Sequence, residues 1–101
     1  MKYEIQKSPG VTKVVLAGRM RFSDHGMFRD IMKMLDLPAG DCVVFEMSGL
    51  DFIDSSGLGM LIVAREESMK RELEFVIENP RDGVMRLLDM TKTSHFFTIR
   101  P

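Results

Sequence analysis

The chain carries one cysteine, Cys42, in 101 residues. That excludes a disulfide framework and a cysteine-rich metal site within one chain. Its place in the apolar run Cys42-Val43-Val44-Phe45 marks it as a buried thiol of a cytosolic protein. An excess of charge of one sign is also lacking. Fourteen basic against fifteen acidic side chains leave a formal net charge of −1, which gives no basic footprint for nucleic acid. No stretch approaches the roughly 18 apolar residues of a membrane span, and Met1-Lys2-Tyr3-Glu4 lacks the charged-then-apolar order of a signal peptide. The expectation is a cytoplasmic location with no membrane partner. Linkers, repeats and low-complexity segments are missing too, so residues 1–101 read as one domain.

What is present is a foldable composition, 45% hydrophobic and 29% charged, long enough to bury a core without staples. Lys2 to Lys7 alternates, with Tyr3 and Ile5 on one side, as a half-exposed strand does. Ser8-Pro9-Gly10 is turn chemistry and Val14 to Ala17 a second strand, so the pair should form an antiparallel hairpin. With Ser23 as N-cap, Phe22 and Met27 are spaced as a hydrophobic staple, and Phe28, Ile31, Met32 and Leu35 form the buried stripe of a first helix. Pro38 to Asp41 ends it. A third strand runs from Cys42 to Met47, and a second helix from about Ser56 to Arg71 pairs Glu66 with Lys70 on its solvent face. Leu73 to Glu78 is a fourth strand, parallel to the third through a right-handed helical crossover. Asn79-Pro80 opens a last helix with Val84, Leu87 and Leu88 inward, Thr91 to Ser94 is a loop, and Phe96 to Ile99 closes the sheet. The fold class is α/β, a mixed sheet of four or five strands with three main helices.

The unusual residues gather in Phe52-Ile53-Asp54-Ser55-Ser56-Gly57-Leu58-Gly59-Met60, read as a strand, a loop and a helix start bearing two hydroxyls. Unpaired N–H groups and the helix dipole make such a start hospitable to a phosphoryl group. On residue chemistry alone Ser55 is equally an N-cap. Asp54 either caps the helix, pins the loop or orients a nucleophile. The hydrolase elbow Gly-x-Ser-x-Gly is absent, since Ile53 and Asp54 precede the serines, and only folding could bring His25 or His95 near. Gly57 and Gly59 lack the third glycine of a dinucleotide fingerprint. They leave the first turn bare for another protein's approach to Ser55, at about 1 kcal/mol of helix propensity each. Met60 and Val63 fall off the stripe of Leu58, Leu61, Ile62 and Met69, as a patch on the outer face for a partner. A second sheet face or a dimer contact is the competing use of the same two residues.

The string Met47-Ser48-Gly49-Leu50-Asp51-Phe52-Ile53-Asp54-Ser55-Ser56-Gly57-Leu58-Gly59 resembles the signature of STAS domains, the anti-sigma-factor antagonists of bacterial partner-switching systems. The likeness spans nearly the whole chain. It implies a single mixed-sheet α/β domain whose serine is phosphorylated by an anti-sigma-type serine kinase and dephosphorylated by a phosphatase. The acceptor it implies is Ser55, directly after the aspartate, with Ser56 as the runner-up and Asp54 part of what the kinase reads. One stretch departs from the pattern. Many members carry an acid shortly after the glycine that ends the second strand, whereas Gly18 is followed here by Arg19-Met20-Arg21-Phe22, and the first acid is Asp24. Two arginines beside the acceptor would favour a phosphate and fit a diverged switch that acts on another regulator.

The expected function is a phosphorylation-gated protein-binding module, not an enzyme, with no cofactor and no metal. Its motif and partner surface would comprise Asp54, Ser56, Gly57, Leu58, Gly59, Met60 and Val63, with Arg19 and Arg21 near the phosphate. Two alternatives stay open: a receiver-like domain phosphorylated on Asp54, although the first strand ends without the paired acids that hold magnesium, and a constitutive scaffold or dimerisation subunit.

Overall fold

Polypeptide order and turn chemistry set the first two strands of the computed structural model, which describes residues 1–101. β1 (Lys2–Ser8) and β2 (Val11–Met20) join through Pro9-Gly10, where Gly10 takes φ +77°, and pair antiparallel from Lys2 opposite Ala17 to Ser8 opposite Val11. A 3-10 turn (Phe22–Asp24) leads into α1 (His25–Lys33), and β3 (Cys42–Ile53) then lies parallel to β2. α2 (Ser55–Lys70), β4 (Glu74–Glu78), α3 (Asp82–Met90) and β5 (Thr98–Arg100) complete the chain. The sheet order is β1-β2-β3-β4-β5, with every pair after the first parallel.

That order fixes where the helices lie. Three right-handed crossovers that all step the same way along a sheet place their helices on one face. The core accordingly forms between that face and the helices. Val14, Leu16, Val43, Phe45, Phe75 and Ile77 come from the strands, Phe28, Ile31 and Leu35 from α1, Leu58, Leu61 and Ala64 from α2, and Val84 and Leu88 from α3. The opposite face carries no helix and is laced by polar side chains. Nζ of Lys13 lies 3.1 Å from Glu78, and Glu46 accepts from the Ser48 N–H at 2.7 Å and the Asn79 amide at 3.1 Å. Burial works against the Glu46 charge, but these donors outweigh it and hold its carboxyl below the usual value.

Several local expectations are corrected. β3 does not stop at Met47 but runs on to Ile53, so only Asp54 separates strand from helix. Ser23 caps nothing and Phe22 staples nothing, being 70% exposed. Asp24, buried, ties the 3-10 turn instead by accepting the Arg21 N–H at 2.8 Å. Asn79 is not an N-cap: it turns the chain at φ +53° with its amide on Glu46, and α3 starts at Asp82. Glu66 pairs with Arg65 at 2.9 Å and not with Lys70, which approaches Glu67 at 3.6 Å. Ser94–Phe96 forms a 3-10 turn, and the closing strand is displaced to Thr98–Arg100. Cys42 is half-buried, at the start of β3 beside Glu74 of β4, so burial and then the Glu74 carboxylate push its thiol up.

Candidate functional site

At the carboxyl ends of the central strands, β2 and β3 finish side by side: Met20 pairs with Ile53, and the Asp54 N–H donates to the Met20 carbonyl at 3.3 Å. The chain reverses there into α2 through one extended residue, Asp54 (φ −99°, ψ −176°), whose Oδ1 accepts the Gly57 N–H at 2.8 Å. Aspartate is well suited to this, since its short side chain reaches the third free N–H of a helix and its charge opposes the dipole. Ser55 is therefore the first helical residue and not the cap. Its side chain is exposed and makes no hydrogen bond within the chain, whereas Ser56, one position on, is half-buried.

The two glycines of the motif do different jobs. A Cβ on Gly57 would lie 2.6 Å from Cγ1 of Ile53 and 2.7 Å from the Met20 carbonyl oxygen, so this glycine lets α2 close onto the ends of β2 and β3. It is buried and presents nothing to a partner, which corrects its expected role. Around Gly59, exposed, a Cβ would meet nothing within 4 Å. This is the glycine that leaves the turn beside Ser55 bare.

Met60 is also corrected, being 2% exposed; Leu58, at 8%, belongs to the buried stripe as expected and not to the partner surface, while Met69, expected on that stripe, is 56% exposed. α2 has neighbours on two sides, the sheet and α1, and so buries two stripes. Leu61 follows the first and Met60 the second, where Phe28 and Met32 of α1 meet it. Val63, 48% exposed, remains on the outer surface as expected. Between the two helices lies a groove of about 640 Å³, bordered by Phe22, His25, Arg29, Ser56, Gly59 and Val63. The residues contributed by α1 were not legible in the sequence, because their proximity depends on how two helices separated by β3 pack.

Of the two arginines, Arg19 lies in β2 beside Phe52, with its guanidinium 5.7 Å from the ring centroid. Arg21 is exposed and directly follows Met20, whose carbonyl accepts the Asp54 N–H. Neither histidine hydrogen-bonds to a serine. The His25 Nδ1 is 2.8 Å from the Phe22 carbonyl oxygen, and His95 packs on Phe96 at 4.5 Å. What the arrangement offers chemically is an unengaged hydroxyl at a helix start, next to a carboxylate already occupied by the Gly57 N–H and with no histidine bonded to it.

A family model described as STAS domain matches residues 2–101. Among solved structures, the chain is similar to a candidate anti-sigma factor antagonist of Thermotoga maritima (TM-score 0.83, 14% identity, 98% of this chain and 86% of that one). An anti-sigma factor antagonist of Mycobacterium paratuberculosis gives TM-score 0.80 at 18% identity over 99% and 85% of the two chains. The unphosphorylated form of the anti-sigma factor antagonist SpoIIAA gives 0.78 at 15% identity over 97% and 87%.

Proposed function

Because the chain belongs to the STAS domain family, we propose that it is a phosphorylation-gated binding regulator of the anti-sigma-factor antagonist type, working in the cytoplasm of a bacterial partner-switching pathway. Residues 1–101 act as a single domain in this reading. Ser55 is the acceptor for a cognate serine kinase and the substrate of a phosphatase, with Ser56 second. The observation that carries this reading is the division of labour at the α2 start. Asp54 takes the capping bond from Gly57 and leaves the exposed Ser55 hydroxyl without a structural task. Solution of one similar structure in a form called unphosphorylated supports the same chemistry for that protein.

The domain itself catalyses nothing in this scheme. A phosphate on Ser55 adds nearly two negative charges at a helix start, where the dipole and the adjacent Arg21 offset them. A partner seated over Gly59 and Val63 would instead have to desolvate that charge against its own surface. Arg19, engaged by Phe52, contributes less to the phosphate than Arg21.

The test is affinity capture from the native host with immobilised wild type, Ser55→Ala and Ser55→Asp, read by mass spectrometry. A kinase or other regulator should be retained by the wild type and Ser55→Ala and be depleted on Ser55→Asp. Equal retention on all three would remove the switch.

A further inference from the structure

The groove between α1 and α2 has features that a switch at Ser55 does not use. Its volume of about 640 Å³ falls in the range of roughly 300–1,000 Å³ typical of small-molecule sites. Phe28, Met32 and Met60 form a buried apolar floor, and Phe22 and Val63 stand at the rim, 70% and 48% exposed. One end is fastened. Nη1 of Arg71, just past α2, donates to the Met32 and Leu35 carbonyls at 3.2 and 2.8 Å, which fixes the end of α1 against the end of α2.

Charge selects what the groove can take. Two formal charges border it, Arg29 and Glu67. Glu67 is answered on both oxygens, by Nζ of Lys70 and Nη2 of Arg71, each at 3.6 Å. Arg29 enters no ion pair or hydrogen bond. An uncompensated guanidinium beside an aromatic and methionine floor matches one carboxylate carried on an apolar body. A small polar anion would leave the floor wet, whereas a carboxylate on an apolar body covers the floor and adds a charge-assisted bond to the exposed Arg29. We propose that the groove between α1 and α2 binds a small amphipathic carboxylate, with the carboxylate on Arg29 and the alkyl or aryl part across Phe28, Met32 and Met60. The groove shares Ser56, Gly59 and Val63 with the partner surface proposed above, but carboxylate binding to it does not require a phosphate on Ser55.

Titration of the isotopically labelled full chain with decanoate, kept below its micellar concentration, tests this through amide chemical shifts. Saturable shifts are expected, confined to residues 22–32 and 56–67. Decylamine, which reverses the charge on the same chain length, should bind at least about tenfold more weakly, and Arg29→Gln should weaken decanoate by about tenfold while leaving the amide spectrum elsewhere unchanged. Arg29 is exposed, so this variant keeps its fold. Absence of saturation, equal binding of decylamine, or unchanged affinity in Arg29→Gln would each overturn the proposal. So would a sedimentation result in which the chain is a dimer that Val63→Glu dissociates, because the groove would then belong to a second copy.

Discussion

Two helices of this domain start one residue after an aspartate, and the two carboxylates do opposite things. Asp54 turns toward its own helix and caps α2 through the Gly57 N–H. Asp24 turns backward, away from α1, and takes the Arg21 N–H and the terminal ammonium at 2.8 and 3.2 Å. α1 consequently starts with no side-chain cap, although Asp24 occupies that position. The difference lies in what precedes each aspartate. Before Asp54 a strand arrives in line, held by Met20, and the next turn contains the small residues that let it close. Before Asp24 an irregular turn leaves backbone donors to be satisfied, and the carboxylate goes to them. One helix start thus spends its acid on local shape, and the other keeps its N-terminus ordered around a free serine.

Breaking the second start at its tightest point should have the largest effect. Gly57→Ala places a methyl against Ile53 and the Met20 backbone, and overpacking there should cost about 3 kcal/mol, read by urea denaturation. Asp24→Ala comes next. Loss of a buried carboxylate that answers charged and backbone donors should cost about 2 kcal/mol at neutral pH. Burial alone would raise the Asp24 carboxyl, but the Arg21 N–H and the terminal ammonium outweigh it and leave it below the ordinary value. A depressed folded-state pKa gives stability that is present above the unfolded value of about 3.9 and is lost as pH falls through the folded value. The gap between wild type and Asp24→Ala should therefore narrow below about pH 4. Titration of both proteins with urea at pH 7 and pH 3 checks the sign.

Asp54→Ala removes a cap and should cost about 1 kcal/mol, with faster amide exchange at the start of α2 and none of that effect at α1. Gly59→Ala should go the other way. Its Cβ meets nothing within 4 Å, so the variant should gain about 0.5 kcal/mol from a stiffer unfolded chain and better helix propensity. If it nevertheless loses partner binding, the bare turn at Gly59 serves recognition. The contrast between Gly57→Ala and Gly59→Ala separates two glycines that stand two residues apart.

The fold was legible where local chemistry decides it. Pro9-Gly10 specified the hairpin, the apolar run from Cys42 specified a central strand, and helix between strands specified parallel pairing. Periodicity failed where a residue answers to two neighbours at once. Met60 is off the sheet-facing stripe of α2 yet buried by α1, and nothing in the spacing of α2 announces that α1 is there. Helix starts failed for a related reason: Ser23 and Asn79 have the right chemistry for caps, but Asp24 and Glu46, distant or backward-facing, determine those turns. In the motif from Asp54 to Gly59 the bare turn at Gly59 was legible because it acts within one turn of helix, whereas the role of Gly57 was not, being set by Ile53 and by Met20 of β2.

The central claim is that Ser55, released from capping by Asp54, is the residue that is phosphorylated. Intact-mass measurement and peptide mapping of the chain purified from its own host, with and without hydroxylamine, tests it most directly. The account requires a single phosphate, on Ser55, stable to hydroxylamine and absent from Ser55→Ala. A phosphate on Asp54, cleaved by hydroxylamine, would contradict it and assign the site to acyl-phosphate chemistry.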